Sequence, residues 1–171
     1  MQVLPFYHQA TNSWSYLLAD EVNKVCALID PVLDFEPASG AIQHDFVEVM
    51  LSRAADQQWQ VAWVLETHIH ADHLSAADFV RGQTGAKIGI GRGVEQVSAL
   101  FAPVFNLGEQ HPNVRVAFDQ LFEPGDMILV GDLTVKVLAT PGHTPACVAY
   151  QVEAAVFVGD TLFRPDYGTA R

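Results

Sequence analysis

Four side chains able to bind a metal ion or move a proton fall within six residues of this chain, in the run His68-Ile69-His70-Ala71-Asp72-His73. A lone histidine is usually a surface residue or a satisfied core residue, and a lone aspartate here would be a plain helix cap. Their crowding argues against both explanations at once. His68 and His70 are two apart, so an extended backbone points both imidazoles to one side, while Asp72 and His73 project from the turn that follows. Together they can surround one or two cations. Two further residues have the same character. His143 sits in Ala139-Thr-Pro-Gly-His-Thr-Pro145, where two prolines and a glycine make a tight, rigid loop. Asp160 ends the apolar run Val156-Phe-Val-Gly, and Gly159 beside it permits close backbone approach. Neutral imidazoles and carboxylates are the donors that zinc and iron accept.

Such residues need strands to hold them. The histidine run follows the apolar stretch Val61-Ala-Trp-Val-Leu65, so it lies where a buried strand, Gln60 to Glu66, gives way to a helix. That is a usual address for an active site. The helix is expected from His73 to about Gln83, with Asp72 as its N-cap and Gly85 beyond its end. Before it, Gln2 to Tyr7, Ser13 to Ala19 and Lys24 to Asp30 read as an antiparallel meander. A helix from about Gln43 to Gln58 shows Phe46, Val49, Met50 and Ala54 at helical spacing. Lys87 to Ile90 reads as a strand and Val94 to Phe101 as a helix. Strands are then expected around Val114 to Phe118, Met127 to Val130, Leu133 to Ala139, Ala146 to Val152 and Ala155 to Val158. Mixed sheets flanked by helices follow, in one domain spanning residues 1–171.

Composition narrows the function. The 171 residues are half hydrophobic and carry a formal charge of −11, which opposes attraction to phosphate backbones, and no basic cluster offsets it. Nucleic acid is not expected as a partner. No apolar run is long enough to span a bilayer and no basic leader precedes one, so no membrane is expected and the location is read as cytoplasmic. Cys26 and Cys147 lie among apolar residues and read as small buried hydrophobes. His8, His44 and His111 lack ligand-spaced neighbours and are taken as surface residues. Gly89-Ile-Gly-Arg-Gly93 resembles a phosphate loop only loosely and is read as a strand-to-helix turn. No Gly-x-Ser-x-Gly element is present to support a serine hydrolase.

Taken in order, Thr67-His-Ile-His-Ala-Asp-His73, Thr140-Pro-Gly-His-Thr-Pro145 and Val158-Gly-Asp-Thr-Leu-Phe163 resemble the metallo-β-lactamase superfamily over essentially the whole chain. The resemblance implies an α+β fold, an αββα sandwich. The segment Gly159-Asp-Thr-Leu-Phe-Arg-Pro-Asp-Tyr-Gly-Thr-Ala-Arg171 looks more like bacterial persulfide dioxygenases than like the zinc thioesterases of the glyoxalase II group. The first resemblance implies one Fe(II) on His68, His143 and Asp160, oxidation of glutathione persulfide to sulfite, and supporting roles for His70, Asp72 and His73. The second implies two Zn(II): His68, His70 and His143 on one, Asp72 and His73 on the other, Asp160 bridging, and hydrolysis of a glutathione thioester. In either case the partner is a small glutathione-derived thiol or persulfide. Arg171 matches a family arginine whose guanidinium can pair with a glutathione carboxylate.

Members of this superfamily usually run well past the Asp160 motif and add a further ligand histidine, whereas no histidine follows His143 here. The domain is therefore expected to be C-terminally truncated and to hold at most one tight metal. An apolar edge left exposed would favour a homodimer. A metal-binding domain without turnover is the remaining reading.

Overall fold

A computed structural model describes residues 1–107 and 117–169. The chain divides into two compact units, Met1–Leu65 with His70–Ile88 and Leu129–Leu133, and Glu66–Ile69 with Gly89–Ile128 and Thr134–Arg171.

The first unit opens with the expected meander. Strands β1 (Gln2–His8), β2 (Ser13–Asp20) and β3 (Val25–Ile29) run antiparallel, with Leu4 opposite Leu17 and Leu18 opposite Ala27. Strands β4 (Val32–Glu36) and β5 (Ala41–Gln43) come next, then helix α1 (Asp45–Asp56), then β6 (Gln60–Glu66). β6 lies parallel to β3, pairing Ile29 with Leu65. A parallel pair needs a long crossover, and the stretch containing α1 supplies it. The buried stripe of α1 is Val47, Met50 and Ala54, while Val49, expected in that stripe, is 59% exposed. Leu17, Leu18, Leu28, Ile29, Val64 and Leu65 form buried runs along neighbouring strands. Consecutive residues are buried here, so both faces of these strands are removed from water, the main driving force of folding.

The helix expected at His73 begins later. Residues 74–75 form a short strand β7 (Leu74–Ser75) paired with β4 through Val32–Ser75 and Leu33–Leu74, and α2 covers Ala77–Thr84. Asp72 is therefore not an N-cap. The N-cap is Ala76, whose own N–H is taken by the Pro31 carbonyl at 2.8 Å, and the Ser75 hydroxyl one residue earlier accepts the Ala77 N–H at 3.0 Å. Pairing with β4 holds the chain extended past His73, and the helix starts only where that pairing ends. It stops at Gly85, as expected.

β8 (Lys87–Gly91) leads into the second unit, which contains α3 (Val94–Val104), β9 (Gln120–Phe122), half of β10 (Met127–Val130), most of β11 (Leu133–Ala139), β12 (Val148–Val152) and β13 (Ala155–Phe157). β8 and β9 are parallel with Ile90 opposite Leu121, and Ile90, Val94 and Leu121 pack as a buried cluster against Phe118. β11, β12 and β13 are antiparallel, with Val137 opposite Tyr150 and Tyr150 opposite Phe157. A single 3-10 turn, Gly159–Thr161, then leads to the hairpin β14 (Leu162–Arg164) and β15 (Tyr167–Gly168). The strand expected at 114–118 falls mostly outside the described residues, and the strand of this region is β9. The one expected to open at Ala146 opens at Val148 instead, because residues 140–147 are spent on a loop. No helix among the described residues is long and apolar enough to cross a membrane.

Gly91 and Gly93 show why the glycine run before α3 is not a phosphate cradle. A Cβ on Gly91 would lie 2.7 Å from Val148 Cγ1, and one on Gly93 would lie 2.7 Å from Ala146 Cα. Both glycines serve close packing against the segment that enters β12.

Candidate metal centre

The second unit brings His68, His143 and Asp160 together, with one donor atom from each lying within 4.8 Å of the others. The carboxylate oxygen Oδ2 of Asp160 is 3.8 Å from His68 Nε2 and 3.5 Å from His143 Nε2. Two donors each about 2.1 Å from a shared cation stand roughly 3.0–3.5 Å apart, so this spacing is close to that of a ligand set. The three residues fit a metal by donor chemistry and by distance.

Each is held by its local chain. His68 is 1% exposed and lies one residue past β6, after Thr67. Its Nδ1 lies 3.0 Å from the Thr67 hydroxyl, which leaves Nε2 turned to Asp160. The strand end is tied to β12 twice: the Tyr150 hydroxyl donates to the Glu66 carbonyl at 2.7 Å and the Val148 N–H to the Thr67 carbonyl at 3.0 Å. His143 tops the rigid loop expected from its prolines. Thr144 fastens that loop, its N–H meeting Cys147 Sγ at 3.3 Å and its hydroxyl lying 3.2 Å from the same sulfur. Cys147 is thus buried, as expected, and also a loop fastener. The rings of His68 and His143 meet edge to face at 4.9 Å. Asp160 lies in the 3-10 turn, and the Thr169 hydroxyl donates to its carbonyl.

The first unit gathers His70, Asp72 and His73, again with donors within 4.8 Å of one another. The rings of His70 and His73 stack at 4.2 Å. His70 Nε2 lies 3.2 Å from Asp30 Oδ1, and His73 Nδ1 lies 3.2 Å from the Leu74 carbonyl, which makes that nitrogen the N–H donor and leaves Nε2 with its lone pair. Burial holds the His73 imidazolium below its usual range, and neighbouring His70 adds to this. This favours the neutral imidazole, whose Nε2 lone pair can accept a proton or a cation. Asp72 is exposed and has the Ser13 hydroxyl at 3.5 Å. Sequence reasoning treated Asp30 only as the end of a strand. It is buried at φ +48, its N–H donates to the Leu65 carbonyl at 3.1 Å and its carbonyl accepts the Ser15 hydroxyl at 2.6 Å. An acidic residue closing an apolar strand just before a proline was the available signal.

Among the other histidines, His8 is not at the surface. It is 6% exposed, with Asp34 at 3.0 Å and the Thr11 hydroxyl at 2.7 Å, and Asp34 in turn accepts the Phe46 N–H at the start of α1. His44 stacks on Phe79 at 4.0 Å. His111 and Arg171 lie outside the described residues.

A mixed α/β chain that offers two histidines and an aspartate at strand ends, with a second donor group from the same His-x-His-x-Asp-His run, belongs to the metallo-β-lactamase superfamily, whose family model matches residues 9–170. This superfamily is metal-dependent. The chain is similar to a protein of Burkholderia pseudomallei named "probable metallo-hydrolase" (45% identity over all of this chain and 62% of that protein) and to glyoxylase B2 of Dictyostelium discoideum (40%, all of this chain and 59% of that protein). It also resembles a hydroxyacylglutathione hydrolase of Rhodospirillum rubrum (30%, 92% of this chain and 51% of that protein). It therefore spans 51–62% of the length of these relatives. Among solved structures, ETHE1 from Myxococcus xanthus matches 99% of this chain and 64% of its own with a TM-score of 0.72 at 26% identity. A metallo-β-lactamase from Staphylococcus aureus matches 98% of this chain and 45% of its own with a TM-score of 0.73 at 25% identity. The expected fold class is thereby confirmed.

Proposed function

We propose that this chain is the metal-binding part of an iron-dependent sulfur dioxygenase acting on glutathione persulfide. The observation that carries this reading is the convergence of two imidazoles and one carboxylate, His68, His143 and Asp160, on a common point. His68, His143 and Asp160 would hold an iron(II), which would supply the activation of dioxygen needed to oxidise a substrate sulfur. The overall reaction takes the persulfide, dioxygen and water to the thiol and sulfite: the S–S bond breaks, the outer sulfur is oxidised, dioxygen is reduced, and water supplies the third oxygen of sulfite. The protein's own work is to hold the donors and to manage protons. Thr67, Thr144 and Cys147 fix the two triad histidines. His73, with Nδ1 committed to the Leu74 carbonyl and burial favouring its neutral form, offers Nε2 as a proton acceptor. Arg171 is assigned to a glutathione carboxylate.

The second donor group favours a second reading. His70, Asp72 and His73 are chemically able to hold another cation, and two zincs would serve hydrolysis of a glutathione thioester. The hydroxyacylglutathione hydrolase name of a relative points the same way. Metal content of protein purified without added metal, oxygen uptake with glutathione persulfide, and cleavage of lactoylglutathione, all on one preparation, separate the two. The proposal expects iron, oxygen uptake and little thioester cleavage. Fast thioester cleavage with two zincs per chain and no oxygen uptake reverses it, and metal without either activity points to a binding domain.

A further inference from the structure

The turn carrying Asp160 and the residue before His68 meet where no space is spare. Gly159 stands at φ +51, and a Cβ there would overlap the Thr67 hydroxyl and lie 2.8 Å from Thr67 Cβ. The same hydroxyl lies 3.0 Å from His68 Nδ1, and Thr67 is 1% exposed. Its carbonyl is held by the Val148 N–H at 3.0 Å, so its backbone is fixed to β12 while its side chain faces both neighbours. One threonine thus touches a histidine of the donor group and the turn that presents the aspartate.

We propose that Thr67 is a positioning residue that sets the geometry of this group in two ways. Its hydroxyl oxygen accepts Nδ1–H of His68, which fixes the tautomer with the Nε2 lone pair toward Asp160. Its side chain is the stop against which the Gly159 turn rests, which sets how near the Asp160 carboxylate comes. The tautomer of an imidazole ligand is set by what its other nitrogen meets, and such outer partners typically command 10–100-fold in metal affinity. The geometry stands by itself, while its effect on affinity rests on the reading of His68, His143 and Asp160 as ligands.

Two measurements on metal-stripped protein test this: proton–nitrogen correlation spectra of the imidazoles at a pH where they are neutral, and zinc affinity by competition with a chromophoric chelator. His68 in the native chain is expected to be the Nδ1–H tautomer. Thr67→Val keeps the shape and removes the hydroxyl. It should admit the Nε2–H tautomer and weaken zinc binding about 10–100-fold, with the metal-free chain still folded. Thr67→Ser should keep the native tautomer and bind within about threefold of native affinity, a rescue that packing alone would not give. Gly159→Ala should weaken zinc binding while leaving the hydroxyl in place. Native tautomer and native affinity in Thr67→Val overturn the proposal, as does a Thr67→Ser no better than Thr67→Val. If Thr67→Val does not fold, an Nε2–H tautomer at His68 in the native chain overturns it. A native chain that binds no zinc removes the metal centre, and the His68 tautomer still decides the role of Thr67.

Discussion

His68 and His70 stand two residues apart, yet the donor groups they join are built differently. The His68 side chain is wholly buried, its strand end is tied to β12 by two hydrogen bonds, and its companion His143 rides a loop fastened by Thr144 and Cys147. The group of His70 is looser. His70 Nε2 lies beside Asp30 and its ring stacks on that of His73, which burial keeps neutral, while Asp72 is exposed with a hydroxyl at 3.5 Å. A preorganised donor set loses little on taking a cation, whereas a looser, neutral one suits proton transfer or a weaker second metal. Within one short motif, then, the chain provides a rigid group and an adaptable one.

The sharpest way to break this comparison is to remove a member of each group. Asp160→Ala should abolish tight metal binding and reduce turnover by more than the ~100-fold an outer partner commands, read by metal analysis and oxygen uptake. His70→Ala should keep one tight metal and lower turnover by only about 10–100-fold. If His70→Ala instead strips a second metal and matches Asp160→Ala in loss of thioester cleavage, the two groups are equal partners and the dinuclear reading gains.

A smaller effect is expected from Asp30→Asn, which keeps a hydrogen-bonding side chain at a residue of positive φ but removes the charge beside His70. Metal affinity of the rigid group should be unchanged and turnover should fall by about tenfold, read from steady-state rates at saturating metal. A loss of tight metal binding in this variant would show that the two groups are not separately supported.

Asp20, in neither group, tests global stability alone. Hydrogen bonds from the Asn23 side chain and the backbone N–H groups of Asp132, Asn23 and Val22 hold its carboxyl well below the usual carboxylate range. A depressed pKa contributes stability that is complete above the unfolded value, about 4, and is lost as pH falls below it, because the unfolded chain takes up the proton first. Thermal midpoints should therefore decline below about pH 4, and Asp20→Ala should be less stable at neutral pH with a shallower acid decline. An unchanged acid slope sinks the assignment. The smallest effect concerns Cys26, whose thiol burial pushes up to about 12, so alkylating reagents should leave it unlabelled in the native chain at neutral pH.

Much of the rigid group was legible in the sequence because its residues announce themselves by type and neighbours. His143 comes with Pro141, Gly142 and Pro145, and Asp160 comes with Gly159. β6, β10 and β11 also match their expected bounds, β6 because its apolar run is compact and β10 and β11 because Gly125, Gly131 and Pro141 flank them. What was not legible depended on partners far along the chain. Pairing of β7 with β4 moved the start of α2 from His73 to Ala77 and took Asp72 out of its expected capping role. His8 looked like a surface residue because Asp34, its partner, lies 26 positions away. Asp30 went unnoticed because its link to His70 spans 40 positions and forms only when strand ends meet.

One link in the first unit bears on how the protein is made. Asp20 accepts the backbone N–H of Asp132 at 2.8 Å across 112 positions, and residues 129–133 belong with the earliest strands although they are translated long after them. Contacts so distant in sequence close slowly, because the intervening chain must be gathered first. On the ribosome, the amino-terminal strands emerge with the Asp20 carboxylate lacking that donor until residue 132 has cleared the exit tunnel. A nascent chain stalled before that point should remain protease-sensitive around the β2–β3 turn, and one stalled well beyond it should become protected there.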